Sequence, residues 1–368
     1  MQVHAQRFYT QSPADVAGLE AAIVAGTIPP RDIVAIIGKT EGNGGTNDFT
    51  RELATVALAQ VFARHTGETR AEIEDRLVLS FSGGTEGVTA PHMLVLWRSG
   101  ESLASPRPEK RLAMAVGYTR AFSATETGRT AMVSETARVV GELMREARIE
   151  APEDVHLVQV KGAIPAFTPE EADAAAAAGA PLRSDMVHSR GASALGVGVA
   201  LGEIDAGAVT DAAICHDWSL HSGVASTSAK PGLQRSEIVL FGNSRWWEGD
   251  LHIAHGVMQD IIDTPAIHGV LAELGLPCEG QLTPDQTERV LGIFAKSDAD
   301  YRHRIRGRRH TMITDDDISD MRYSRCVVAS LLAGVTGETA VYVSTRAEHH
   351  GPPGGGPVAI IARRDQGS

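Results

Sequence analysis

Three stretches decide the reading of this chain: DIVAIIGK (32–39), DVHLVQVK (154–161) and ERVLGIFAK (288–296). Each is an apolar, strand-like run that ends on a lysine, namely Lys39, Lys161 and Lys296. Ahead of each lies a segment with apolar residues at three- and four-residue spacing, the pattern of a helix with one buried face. These segments are SPADVAGLEAAIVAG (12–26), SETARVVGELMREARIE (134–150) and TPAIHGVLAELGL (264–276). Downstream comes a second helix opened by a hydroxyl-arginine pair: Thr50-Arg51, Ser189-Arg190 and Ser324-Arg325. A strand then stops on a serine: RLVLSFS at Ser82, the less regular DWSLHSGVAS at Ser226, and TAVYVS at Ser344. A further apolar strand closes each round, HMLVLWR, SEIVLFGNS and PVAIIAR.

Self-similarity at domain-length spacing marks concatenated units. The boundaries fall at 1–104, 111–250 and 251–368. The expected fold is α/β: three homologous α+β units around a pseudo-threefold axis, with strands in a central β-barrel and helices outside. Equivalent strand ends would then bring three lysines, three arginines and three serines to one cationic pocket. Arginine forks in such a pocket suit a small planar ligand that is anionic or rich in carbonyls.

Composition narrows the alternatives. The chain has 368 residues, 43% of them hydrophobic and 22% charged, which is the profile of a globular protein. A net charge of -12 argues against a nucleic-acid surface. Cys215, Cys278 and Cys326 are distant and odd in number, so they read as reduced core thiols. The N-terminus shows no secretory pattern and no stretch suits a membrane span, so the cytoplasm is the expected location.

Several familiar motifs fail on detail. Gly38-Lys39-Thr40 resembles the end of a phosphate loop, but Ile33 stands where that loop needs glycine. No His-Glu-x-x-His supports zinc, and His349-His350 lies in a Gly/Pro loop. Ser82 follows Ser80 rather than the glycine of a nucleophile elbow.

The strings GKTEGNGGTNDFTRE (38–52), SGGTEGV (82–88), KRLAMAVGYTR (110–120), SRGASALG (189–196), IAHGVMQDIID (253–263) and AEHHGPPGGGP (347–357) resemble the cyanuric acid hydrolase and barbiturase family over essentially the whole chain. The resemblance implies hydrolytic opening of a cyclic amide in a homotetramer, with no catalytic metal and no organic cofactor. It carries the nucleophile onto Ser226 and its general base onto Lys161, whereas the residues alone leave three serines as rivals. It assigns substrate contact to Arg51, Ser82, Gly83, Arg190, Ser226, Thr227, Arg325, Ser344 and Thr345. Lys39 and Lys296 are the further axis lysines. Arg322 matches a position linked to substrate preference, with a solvated surface arginine as the alternative. A structural calcium or magnesium ion is implied at Asp298, Ala347, His350, Gly351, Pro352 and Gly355, with Asp298 where the family usually offers glutamate.

Two loops depart from the family pattern. Lys230-Pro231 and Gln234 stand where a shorter, glutamate-containing segment is common, and Thr345-Arg346 replace glycines. The readings kept open are therefore cyanuric acid, barbiturate or another cyclic amide as substrate, and a non-catalytic small-molecule binder of the same fold.

Overall fold

A computed structural model describes residues 1–311 and 318–365. The last three positions of the third unit, 366–368, lie outside the described residues. The first unit contains β1 (Gln2–Tyr9), α1 (Ala17–Val24), β2 (Ile33–Thr40), α2 (Thr50–Thr66), α3 (Arg70–Arg76), β3 (Val78–Gly83) and β4 (His92–Ser99). The second contains β5 (Arg111–Tyr118), α4 (Thr130–Glu146), β6 (Val155–Ile164), α5 (Pro169–Ala177), α6 (Met186–Ala200), β7 (Ala225–Pro231) and β8 (Glu237–Ser244). In the third, β9 (Leu251–Met258), α7 (Thr264–Glu273), α8 (Pro284–Arg289) and β10 (Val290–Ser297) are followed by a short hairpin, β11 (Arg304–Ile305) with β12 (Arg308–Arg309). It ends with α9 (Asp320–Thr336), β13 (Val341–Thr345) and β14 (Gly356–Arg363).

Three four-stranded sheets result, ordered β1-β4-β2-β3, β5-β8-β6-β7 and β9-β14-β10-β13. The order is the same each time. The lysine-bearing strand pairs in parallel with the serine-bearing strand and antiparallel with the last strand of the unit. A parallel pair needs a long crossover, and α2, α6 and α9 lie on the three crossovers. The lysine strands are buried along nearly their whole length, as continuous apolar runs require.

The expected single closed barrel is not what the hydrogen bonds draw. Among the described residues the three sheets are separate ladders, joined by side-chain packing in place of a continuous strand circuit. One apolar cluster draws on all three, including Ile37 and Leu94, Val158 and Phe241, and Phe294 and Ala359. The first strand of each sheet had no strand reading in the sequence, and the short helices α3, α5 and α8 had none either. The cysteines are unpaired and only partly buried. Among the described residues no helix is long and apolar enough to cross a membrane.

Close packing reaches the residue beside Lys39. A Cβ added to Gly38 would lie 2.6 Å from the His92 carbonyl oxygen and 2.6 Å from the Phe81 ring. Backbone cannot yield as a flexible side chain can, so Gly38→Ala is expected to cost about 1–3 kcal/mol, read as a lower urea midpoint with an unchanged slope.

Candidate active site

The serine strands converge. One cavity of about 230 Å3 is lined by Ser82, Ser228 and Ser344, with Arg51, Arg190 and Arg325 around them. Gly83 and Thr345 also line it, as the sequence led us to expect. Ser226 and Thr227 do not.

Register explains the difference. Lys39 lies opposite Ser82, and Lys296 lies opposite Ser344. Lys161 lies opposite Ser228, while Ser226 lies opposite Gln159, one layer deeper. Successive residues of a strand alternate faces, so a shift of two keeps the same face at a different depth. Ser226 is 2% exposed and belongs with Ser80 and Tyr342, which Gln159 approaches at 3.3 Å each. Thr227 faces the helix side, where its hydroxyl donates to the Arg190 carbonyl at 2.9 Å. The position equivalent to Ser82 and Ser344 is therefore Ser228. The irregular DWSLHSGVAS segment concealed it, because a strand that starts late displaces the count.

Lysine hydrogen bonds give the same answer independently. Lys39 Nζ donates to the Val343 carbonyl at 2.9 Å, Lys161 to Phe81 at 2.8 Å and Lys296 to Thr227 at 2.8 Å. Each acceptor directly precedes a cavity serine, Ser344, Ser82 or Ser228, in a different sheet. Lys39 and Lys296 also donate to their own serines, both at 3.3 Å. Ser228 differs, since its hydroxyl is buried with no hydrogen-bond partner.

All three lysines are sequestered from water, at 1%, 3% and 0% exposure. Desolvation penalises the ammonium form. Burial, with the Arg51 charge next in importance, pulls Lys161 down to about 7. Burial and Arg190 pull Lys296 to about 7, and burial and Arg325 hold Lys39 well below its ordinary value. A lysine near neutrality is a competent proton acceptor.

The arginines divide two against one. Arg325 pairs with Glu86 at 2.6 Å and donates to the Gly83 carbonyl at 2.7 Å. Arg190 makes a two-pronged pair with Glu348, at 2.8 and 2.7 Å. Burial opposes ionisation of both partners, but their attraction outweighs it, holding Arg190 above and Glu348 below their ordinary values. Arg51 instead donates to the Gly45 carbonyl at 2.6 Å and lies 3.7 Å from Asp48. Glu86 and Glu348 escaped the sequence reading. The signal was there, because each stands four residues after its serine in SGGTE and STRAE. Arg322 lies 3.6 Å from Glu86 with its side chain 49% exposed, outside the residues lining the cavity.

The implied cation position is a separate cavity of about 430 Å3. Asp298, Ala347, Gly351 and Pro352 line it, and His350 and Gly355 do not. The His350 Nε2 accepts from the Thr227 amide at 2.9 Å, so that ring tethers β7. Gly355 packs where a Cβ would meet the Met258 carbonyl at 2.0 Å. Burial, reinforced by the negative Glu348, pushes Asp298 up to about 6. A buried carboxylate under like-charge pressure beside a backbone-rich loop fits a hard cation. Among the described residues no cluster of three or more His, Cys, Asp or Glu is assembled for a metal.

The comparisons with known proteins agree in direction. A family model described as amidohydrolase ring-opening protein matches residues 4–363. A cyanuric acid amidohydrolase of Enterobacter cloacae is 43% identical, covering 99% of this chain and all of the relative. A cyclic amide hydrolase of Azorhizobium caulinodans is 41% identical, covering 99% of this chain and all of that protein. A solved cyanuric acid hydrolase, described as an evolutionary innovation by structural concatenation, superimposes with a TM-score of 0.90 at 41% identity. It covers 98% of this chain and 99% of its own. The crystal structure of the enzyme from A. caulinodans gives 0.86 at 43% identity, with 99% of each chain covered.

The Arg190–Glu348 pair is buried, with side chains 6% and 8% exposed. Removing one charge strands the other in a medium that cannot solvate it. Glu348→Gln is expected to lower unfolding free energy by about 3–5 kcal/mol in a denaturant titration. Glu20→Gln, which breaks the exposed Arg64 pair, should leave the midpoint unmoved.

Proposed function

This chain belongs to the ring-opening amidohydrolase family, and on that premise we propose that it opens cyanuric acid, or a close cyclic amide, through Ser228 and Lys161. It is an amidohydrolase acting on cyclic amides, as its relatives are. The observation that carries the mechanism is the register that sets Lys161 beside Ser228, with that serine's hydroxyl left without a partner.

Neutral Lys161 takes the Ser228 proton as Oγ attacks a ring carbonyl. The tetrahedral adduct collapses with cleavage of the ring C–N bond, and the Lys161 ammonium returns its proton to the departing nitrogen. Water then attacks the acyl ester as Lys161 takes its proton; the adduct collapses with cleavage of the ester C–O bond, Lys161 returns that proton to Ser228 Oγ, and the released acid ionises to a carboxylate. The arginines around the cavity hold the ring's carbonyl oxygens in plane, and Ser82 and Ser344 bind without reacting. A bound calcium or magnesium at Asp298 would stiffen the 347–355 loop, which carries Glu348 and hence the setting of Arg190.

The shared strand order and the cyclic lysine hydrogen bonds support three concatenated units about a pseudo-threefold axis. A homotetramer without nucleic-acid or membrane partners remains part of the same reading. Barbiturate is the second substrate considered, favoured by Thr345, which lines the cavity where glycine is usual and makes its three sides unequal.

Two outcomes test the assignment. Ser228→Ala should reduce kcat on cyanuric or barbituric acid by about 1,000-fold or more, followed as loss of ring absorbance, while Ser226→Ala keeps turnover within a few-fold. The base must be unprotonated, so kcat/KM should rise with pH through about 7, the position of Lys161. A flat profile between pH 6 and 8 would remove Lys161 from the role.

A further inference from the structure

A second cavity adjoins the serine-lined one. It also measures about 230 Å3, and Thr46, Arg51 and Phe81 line both. It lies between α2, β3 and the end of β7, with Lys161 on its wall. Its apolar surface comes from Phe49, Leu79, Phe81 and Pro231.

Comparison within the molecule accounts for its presence. Four residues after Ser82 stands Glu86, and four after Ser344 stands Glu348, each saturating an arginine of another unit. Four residues after Ser228 stands Gly232. No side chain reaches back toward Arg51 from that position, and the Arg51 side chain is 17% exposed against 2% for Arg325 and 6% for Arg190. Pro231 and Lys230 border the space instead.

The wall also indicates what the space takes. Lys230 pairs with Glu52 at 3.2 Å, Arg51 has Asp48 and the Gly45 carbonyl, and Lys161 donates to the Phe81 carbonyl and is the neutral base of the reading above. No surplus charge is left for an ionic group. Phe49, by contrast, is 76% exposed, a large apolar side chain with unburied surface at a cavity wall. Covering it and filling the space beside Leu79 and Pro231 is favourable in proportion to the apolar area removed from water.

We propose that this second cavity is a substituent subsite, so that the preferred substrate is a cyclic amide bearing one apolar arm, alkyl or aryl. The inference rests on the ring-opening reading above. It has a mechanistic consequence: an unsubstituted threefold ring presents identical carbonyls, whereas an arm seated past Arg51 admits one orientation and fixes which carbonyl faces Ser228.

The test compares kcat/KM for cyanuric acid, its N-propyl derivative and its N-carboxymethyl derivative. Wild type should prefer the propyl ring over the unsubstituted ring by about tenfold or more. Phe49→Ala should reduce that ratio several-fold with cyanuric acid turnover unchanged. Leu79→Trp, which enlarges a side chain on the cavity wall, should fill the space and abolish the preference. A propyl ratio of one or less in wild type, a preference for the carboxymethyl ring, or a ratio that neither variant moves would overturn the subsite. Wild type that opens cyanuric acid but shows no propyl preference defeats the subsite alone. Wild type that opens no ring defeats the amidohydrolase reading, and the subsite with it.

Discussion

Three amines are buried here without a carboxylate against them, and the rest of the structure follows from how each is satisfied. An amine removed from water needs an acceptor, or it costs several kcal/mol. Lys39, Lys161 and Lys296 each find one on another sheet, in the carbonyl immediately before a cavity serine. One contact per lysine thus ties the sheets to one another, fixes the height of each serine strand and keeps the amines poorly solvated. The same burial that would destabilise an ordinary surface lysine brings Lys161 and Lys296 to about 7. Packing and acid-base chemistry here have a single cause.

That arrangement would make three equal sites if nothing else differed. The carboxylates break the equality. Glu86 and Glu348 restrain two arginines, and Gly232 leaves the third with only carbonyl and longer-range partners. Lys39 and Lys296 hold their serines, and Ser228 keeps an uncommitted hydroxyl. Restraint on two sides and freedom on the third is the asymmetry on which the proposed nucleophile rests. That hydroxyl is one of several buried serine oxygens without a partner, Ser226 among them, so the register and not the missing bond singles out Ser228.

Much of this was legible before any coordinates. The three lysine-ended strands gave the α/β class and the common order of elements, because burial on both faces writes itself as an unbroken apolar run. Arg51, Arg190 and Arg325 were legible from the hydroxyl-arginine pairs at the start of the second helix of each unit. What the strings did not carry was depth. Ser226 and Ser228 share a face of β7, and only the ladder to β6 shows which one stands level with Lys161. The part His350 plays in packing was not legible either: a loop string names its residues without saying which way each ring points, and the His350 ring braces Thr227. How the three sheets meet was not legible, because pairing between sheets is not encoded by any one strand's periodicity.

The most direct measurement of the central claim is acid-quenched peptide mapping of the enzyme during turnover of a cyclic amide, to locate the covalent acyl group by mass. The account predicts the added mass on Ser228. An adduct on Ser226, Ser82 or Ser344 would contradict it, because the register would then not be what selects the nucleophile.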